Sequence, residues 1–315
     1  MTIINPHIHG IASVDPAHLA LRKTAARASI AVAGFLMAVK LYAFLATDSV
    51  SVLSTLMDST FDTLASIVTF FSVMHAARAA DENHRFGHGK LEALSALGQG
   101  IFVSGTAAFL FYESIGRIIT PRQIETPETG IAIMVISILL TLVLVRFQTY
   151  VIRKTQSVAI AADHLHYKGD LLLNISVIAA LALSGLTTWP YFDPLFGIVI
   201  AVALFRGAKN IFCDSFDILM DKELPEEDRT RITALVTSHP AAQAVHDLRT
   251  RSTGERIFIE FHLELDGEMS LHKAHDVTEE IEKILFDAYP KSEVLIHQEP
   301  AGIADHRIDN VIQST

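Results

Sequence analysis

The sequence predicts a polytopic α-helical membrane protein that ends in a small cytoplasmic α+β domain. Half of its 315 residues are hydrophobic and the mean hydropathy is +0.36, which is too apolar for an ordinary soluble domain. Charge divides the chain unevenly, because residues 214–315 hold 10 Lys and Arg against 22 Asp and Glu. Apolar stretches therefore belong to residues 1–213, and the acidic remainder has the composition of a water-exposed domain.

Six apolar stretches are long enough to cross a bilayer as helices. They lie near 26–47, 51–76, 91–119, 130–153, 158–185 and 192–213. Basic residues gather in the N-terminal segment, in the connections 77–90 and 154–157 and after the last stretch, whereas the opposite side holds only Arg117 and Arg122. The positive-inside rule then predicts that both termini are cytoplasmic. The N-terminus lacks the pattern of a cleaved signal peptide, so we expect the first span to direct insertion.

The acidic region has the pattern of a compact domain. A helix over 226–238 is followed by strands over 244–250 and 256–265, a second helix over 270–289 and a last strand over 293–298. The order αββαβ predicts two helices packed on a three-stranded sheet. The expected organisation is a cytoplasmic N-terminal segment 1–25, a transmembrane domain 26–213, a junction 214–223, a cytoplasmic domain 224–300 and a tail 301–315.

Two pairs of ionisable residues interrupt the apolar stretches. Asp58 and Asp62 lie in the second stretch, and His166 and Asp170 lie in the fifth. Each pair has the spacing i, i+4, which places both side chains on one helix face. Charged groups at membrane depth are costly and mark ion pathways. Three carboxylates and one imidazole suit Zn²⁺, and less closely iron(II), manganese or cadmium, although hydrogen bonding within the bundle is the alternative.

Asp163 shares the helix face of His166 and Asp170. It is predicted to be an auxiliary metal ligand or a proton acceptor, or to make a hydrogen bond near the helix end. Two further groups of ligand-type residues lie outside the apolar stretches. Asp81, His84 and His88 occupy the connection after the second stretch, beside two glycines that let the backbone bend. The cytoplasmic domain holds His246, His262, His275, His297 and Glu299, which predict a metal cluster rather than scattered surface histidines.

Composition also excludes several classes of function. A single cysteine, Cys213, leaves neither a disulfide framework nor a thiolate metal cluster within one chain. The acidic C-terminal region argues against a nucleic-acid partner. No HExxH-type helix is present, and this argues against a membrane metalloenzyme. We therefore expect a protein that is not an enzyme.

These motifs together resemble the cation diffusion facilitator family, in particular its bacterial ferrous-iron and zinc efflux branch. The resemblance extends from about residue 25 to residue 300. It is carried by Asp58-x-x-x-Asp62, by His166-x-x-x-Asp170, by the string His84-Arg85-Phe86-Gly87-His88-Gly89-Lys90 and by His246-Asp247-Leu248-Arg249-Thr250-Arg251. It implies a homodimeric, proton-coupled exporter of divalent metal ions in the cell inner membrane, with six transmembrane helices, lipid around them and a cytoplasmic metallochaperone-like domain.

The resemblance also implies roles for individual residues. Asp58, Asp62, His166 and Asp170 match the transport site, and Asp81, His84 and His88 match a loop site. His246, His262, His275 and His297 match a binuclear cytoplasmic site, where Glu299 replaces the Asp of the relatives and has a longer reach. Lys90 and Asp221 match a salt bridge at the dimer junction. The remaining alternative is a metal-responsive sensor or assembly protein that keeps this fold without transport.

Overall fold

The computed structural model describes residues 16–47, 50–120, 128–186, 189, 191–254 and 256–302. The chain divides into two compact units, of which one is Pro16–Phe216 and the other includes everything from Asp217 onward. The first unit is built from six long helices. They are α1 (Pro16–Thr47), α2 (Val50–Ala76), α3 (Lys90–Ile119), α4 (Glu128–Thr155), α5 (Val158–Leu186) and α6 (Phe192–Leu219).

Helix α5 lies inside this bundle. It packs against α3 and α4 and also contacts α2, while α1 packs against α2 and α4. An apolar cluster of Val103, Ala107, Ile200 and Leu204 joins α3 to α6, and leucines of α5 pack on it. The helices α5 and α6 approach closely at Gly207, where a Cβ atom would lie 2.7 Å from Leu165 Cδ1. One face of α5 is therefore packed against the rest of the bundle.

A buried ion pair joins α1 to α3 near the N-terminal ends of both helices. Arg22 Nη1 of α1 donates to Glu92 Oε1 of α3 over 3.0 Å. Ser157, directly before α5, donates to the other oxygen of Glu92 over 2.5 Å. The charge of Arg22 is needed there because an ionised carboxylate without a partner would be costly to bury. One carboxylate thus fixes the positions of α1, α3 and the start of α5.

Four of the described helices are long and apolar enough to cross a membrane: Pro16–Ala46, Lys90–Ile119, Ile131–Thr155 and Phe192–Leu219. The other two long helices, α2 and α5, are those that hold the ionisable pairs. Helix α1 begins at Pro16 rather than near residue 26, and α6 continues to Leu219 rather than ending near residue 213. Hydropathy marks only the apolar part of a helix, so the polar turns at these two ends were not predicted.

The second unit contains α7 (Glu226–Thr237), β1 (Ala244–Ser252), β2 (Ile257–Leu265), α8 (Leu271–Ala288) and β3 (Ser292–Pro300). Strand β2 is central, antiparallel to β1 and parallel to β3. Residues Ile259, Phe261 and Leu263 alternate along β2 and pack under the two helices. The opposite sheet face carries Glu260, His262 and Glu264. The predicted fold class, a helical membrane domain with an αββαβ domain, is confirmed.

Candidate metal centres

The structure brings together three of the four intramembrane residues singled out by the sequence. Nε2 of His166 lies 3.0 Å from Oδ1 of Asp62 and 3.6 Å from Oδ2 of Asp170. One ligand atom from each residue falls within 4.8 Å of the others, as a shared metal ion requires. The His166 side chain is 8 % exposed, whereas Asp62 and Asp170 keep more contact with solvent-accessible space. We call these three residues the α2–α5 triad.

Asp58 lies outside the α2–α5 triad. It sits one helical turn before Asp62 on α2 and its side chain is exposed, but it interacts electrostatically with Asp62 and Lys40. Lys40 of α1 donates to Ser59 Oγ over 2.5 Å. It also interacts electrostatically with Asp62 and Asp170. A lysine therefore stands beside this group of carboxylates, and the role of Asp58 as a ligand stays a prediction.

Aromatic contacts hold His166 in place. Its ring centroid lies 5.7 Å from that of Phe102 on α3 and 5.5 Å from that of Tyr167. The hydroxyl of Tyr167 is hydrogen-bonded to Ser66 Oγ on α2 at 2.7 Å. These contacts fix α5 against α2 one turn beyond Asp62, and they orient the imidazole towards the two carboxylates.

Asp163 is also buried, but its partners belong to other helices. Its Oδ2 accepts hydrogen bonds from Ser29 Oγ of α1 at 2.6 Å and from Gln148 Nε2 of α4 at 2.7 Å. Asp163 is absent from the group of ligand atoms that the α2–α5 triad forms. The structure therefore shows hydrogen bonds between helices rather than at a helix end, and the role of Asp163 as a proton acceptor stays a prediction.

The second group of ligand-type residues lies in the connection between α2 and α3. Asp81 lies 3.4 Å from His84 Nδ1 and 3.3 Å from His88 Nε2, and the two imidazole rings are 4.7 Å apart. Gly87 has φ +81°, a conformation that favours glycine, and it turns the chain so that both histidines face Asp81. All three residues have ligand atoms within 4.8 Å of one another. This loop cluster is more exposed than the α2–α5 triad.

Acidification is expected to release metal from the loop cluster through its imidazoles and not through Asp81. The backbone N–H of His84, with that of Asn83, donates to the Asp81 carboxylate and holds its pKa below the ordinary value despite some desolvation. Asp81 therefore stays ionised as the pH falls, whereas each imidazole must lose its proton to bind a metal.

Zinc titrations of the full-length protein between about pH 7.5 and pH 5.5 test this expectation. Subtracting the titration of a His84→Ala/His88→Ala variant isolates the loop cluster. Asp81→Asn should weaken zinc binding there by a similar factor at each pH. A factor that shrinks steadily towards low pH would mean that Asp81 itself takes up the proton.

The cytoplasmic unit places three histidines in one row across its sheet. His246 of β1 is the register partner of His262 of β2, which is in turn the partner of His297 of β3. Glu299 lies two residues beyond His297 on the same face, and its carboxylate reaches all three rings. Its oxygens lie 2.6 Å from His262 Nδ1, 3.1 Å from His246 Nε2 and 3.4 Å from His297 Nε2. His246, His262 and Glu299 form the third group with clustered ligand atoms.

One predicted ligand lies apart from this row, and one neighbour was missed. His275 is on α8, which covers the other face of the sheet, and its Nε2 lies 3.3 Å from Glu279. Glu264 Oε1 lies 3.7 Å from His246 Nε2. Its position two residues after His262 on a strand is the signal that would have indicated it. The roles of these residues, and the pairing of Lys90 with Asp221, stay predictions.

Comparison with known proteins identifies the family of this chain. Residues 26–220 match the family model of the cation efflux transmembrane domain, and residues 224–301 match that of the cation efflux protein cytoplasmic domain. The chain belongs to the cation diffusion facilitator family. It is therefore a membrane protein, and its family consists of transporters of metal cations.

Relatives of similar length match along nearly the whole chain. Protein p34 of Rickettsia rickettsii (strain Sheila Smith) is 40% identical over 286 residues, which cover 91% of this chain and 94% of p34. The cation-efflux pump FieF of Yersinia pestis (strain Pestoides F) is 40% identical over 293 residues, covering 92% and 96%. The solved metal-bound C-terminal domain of the CzcD transporter from Thermotoga maritima is 30% identical, with a TM-score of 0.25, and covers 26% of this chain and 100% of that domain.

Proposed function

We propose that this protein exports Zn²⁺ from the cytoplasm in exchange for protons, as a homodimer in the inner membrane. The observation that carries the proposal is the α2–α5 triad, in which one imidazole nitrogen faces two carboxylates inside a helical bundle. One nitrogen and several carboxylate oxygens suit Zn²⁺ in tetrahedral coordination. Membership of the cation diffusion facilitator family supports transport of a divalent metal, and the name of the Yersinia relative supports the outward direction.

Proton coupling follows from the chemistry of the same three groups. Nε2 of His166 is the atom nearest to both Asp62 and Asp170, so a proton and a metal ion compete for one position. Metal binding requires a neutral imidazole and ionised carboxylates, and it therefore releases protons. Acid on the side where metal is released favours the protonated, metal-free site. Acid on the side where metal is loaded opposes binding.

Alternating access would require the helices around the triad to change their packing. The triad joins α2 to α5, and α5 also contacts α3 and α4. Movement of this pair against its neighbours would open the metal site to one side of the membrane and then to the other. Helices α2 and α5 cross the membrane in this proposal, which makes six spans with both termini cytoplasmic.

The cytoplasmic histidine row is proposed to bind regulatory zinc. His246, His262, His297 and Glu299 lie on the sheet face that the helices leave uncovered. His275 stands on the far side and would complete a site only with a second subunit. Metal binding there would then favour one arrangement of the homodimer.

Flux measurements in proteoliposomes that contain a pH-sensitive dye and a zinc-sensitive dye test the proposal. Zinc movement is expected to be matched by opposite proton movement, and an imposed pH gradient should drive zinc against its own gradient. Zinc flux without a proton signal would contradict antiport but leave the metal site standing. A folded dimer that binds zinc but moves none would favour the alternative of a sensor or assembly protein. Competition by iron(II), cadmium or manganese in the same vesicles would rank the metals.

A further inference from the structure

Asp163 is a fully buried carboxyl group that the metal site does not use. It lies on α5 three residues before His166 and is 0 % exposed. One of its oxygens, Oδ2, accepts both hydrogen bonds, from Ser29 of α1 and from Gln148 of α4. Gln148 Nε2 also lies 3.1 Å from Ser29 Oγ, so the three side chains form a closed triangle. This triangle joins α1, α4 and α5 through a single carboxyl group.

The side chains that contact Asp163 directly are neutral. Among the residues that the structure describes, no Lys, Arg or His forms an ion pair with it. The side chains that approach it from α1, α3 and α4 are Ser29, Gln99 and Gln148, and all three are neutral. The titratable groups that interact with it electrostatically are His166 and Tyr167, both on α5 itself. Protonated His166 is a source of positive charge for an ionised Asp163, but among the described residues it forms no ion pair with it, so it offsets the desolvation of the carboxylate only in part.

Several acceptor oxygens around Asp163 have no hydrogen-bond donor. Its second oxygen, Oδ1, is buried without a hydrogen-bond partner in the described part of the chain, and so are Oε1 of Gln99 and Oε1 of Gln148. Gln99 also acts on Asp163 as a hydrogen-bonding side chain, so the carboxyl group lies among three polar side chains, and Gln99 and Gln148 each keep an unpaired acceptor oxygen. A proton on the Asp163 carboxyl group adds one O–H donor to this cluster. Buried polar groups are normally paired, so the arrangement fits the neutral acid better than the anion.

We propose that Asp163 is a proton-binding site of the transport cycle, separate from the groups that bind the metal. The inference rests on the proposed zinc–proton exchange and adds a second place where a proton is carried. The carboxyl group takes up one proton when the bundle encloses it, and the acid O–H bond breaks to return that proton to water when α1, α4 and α5 separate. Each subunit would then carry one proton at Asp163 in addition to those displaced by metal at His166.

This position couples protonation to helix packing. The neutral acid is compatible with the enclosed arrangement, because its hydrogen bonds to Ser29 and Gln148 stay within the bundle. The anion needs water or a countercharge, and it therefore favours an arrangement in which α4 and α1 move away from α5. A metal ion at the α2–α5 triad and a proton at Asp163 would both influence the position of α5, because His166 and Asp163 lie about one turn apart on that helix.

Asp163→Asn tests the proposal, because asparagine keeps the shape of the neutral acid and cannot exchange a proton. In the proteoliposome assay, the number of protons moved per zinc ion should fall by one compared with the wild type. Asp163→Glu should restore the wild-type number. An unchanged number in Asp163→Asn would overturn the assignment and leave a purely structural hydrogen bond. A wild-type protein that moves zinc without protons would instead contradict the antiport itself, and the Asp163 site would fail with it.

A second variant keeps the test decisive if Asp163→Asn does not fold. Ser29→Ala retains the carboxyl group but removes one donor to Oδ2, so the pH at which zinc flux is half-maximal should shift. The matched control is Ser104→Ala on α3, where the hydroxyl donates only to the backbone oxygen of Gly100 within its own helix. A shift in Ser29→Ala that is absent from Ser104→Ala supports the proton site. Identical pH profiles for the two variants would overturn it.

Discussion

Zinc flux is expected to be lost when Asp62 or Asp170 is replaced by Asn. Each substitution keeps the size of the side chain but removes one anionic ligand from the α2–α5 triad, where both carboxylates lie within 3.6 Å of His166 Nε2. Loss of even an outer-shell partner of a metal ligand typically lowers metal affinity by about 10–100-fold, and loss of a ligand itself should cost at least as much. Flux at micromolar zinc should then be indistinguishable from that of empty vesicles.

The matched control is Glu113→Gln on α3, which also removes a carboxylate from a long helix. Glu113 pairs with Arg117 3.2 Å away, and this pair is distant in sequence from the triad. The control should transport zinc, and all variants should elute as folded dimers. Flux at the wild-type rate through Asp62→Asn or Asp170→Asn would exclude the triad as the transport site.

Zinc should no longer stabilise the cytoplasmic domain when Glu299 is replaced by Gln. Glu299 contacts His246, His262 and His297, and it places a negative charge at the centre of the row. Residues 224–315 contain their own hydrophobic core, formed by residues such as Ile232, Ile259 and Ile281, so the fragment is expected to fold alone. Ligand binding at 100 times Kd stabilises a folded domain by about 2.7 kcal/mol. The zinc-dependent shift of its melting temperature should largely disappear in the variant.

Glu293→Gln provides the control on the same strand. Glu293 is exposed on β3, has the same side chain and lies outside the clustered ligand atoms. This control should melt with the wild-type zinc shift, in the fragment and in the full-length protein. An equal shift in Glu299→Gln and Glu293→Gln would mean that zinc binds elsewhere on the acidic domain.

The intramembrane site could be predicted from sequence to the extent that it depends on helix periodicity. The spacing of His166 and Asp170 places them on one face because the α-helix repeats every 3.6 residues. The same argument grouped Asp58 with Asp62, but the step of four residues between them advances about 6 Å along the helix axis. Only Asp62 lies level with His166, and the crossing of α2 and α5 that decides this has no signature in a single chain.

Strand register limited the prediction of the cytoplasmic site in the same way. Alternation indicated that His297 and Glu299 share one face of a strand, yet it gave no information on which residues of neighbouring strands stand opposite each other. The structure aligns His246, His262 and His297 in one row and brings Glu264 beside His246. The contact between Arg22 and Glu92 could not be predicted from the sequence either, because the two residues lie 70 positions apart.

Helix α2 runs from the α2–α5 triad towards the loop cluster. It continues without a break from Asp62 to Ala76, a length of about 21 Å at 1.5 Å per residue, and the loop cluster begins a few residues later. A tilt of about 10° around Asp62 therefore displaces the end of the helix by ~4 Å. Such a displacement would exceed the 3.3 Å between Asp81 and His88, so a change in the angle of α2 would be large enough to alter the spacing of the loop ligands. A spectroscopic probe at the exposed loop would then report on motion at the triad.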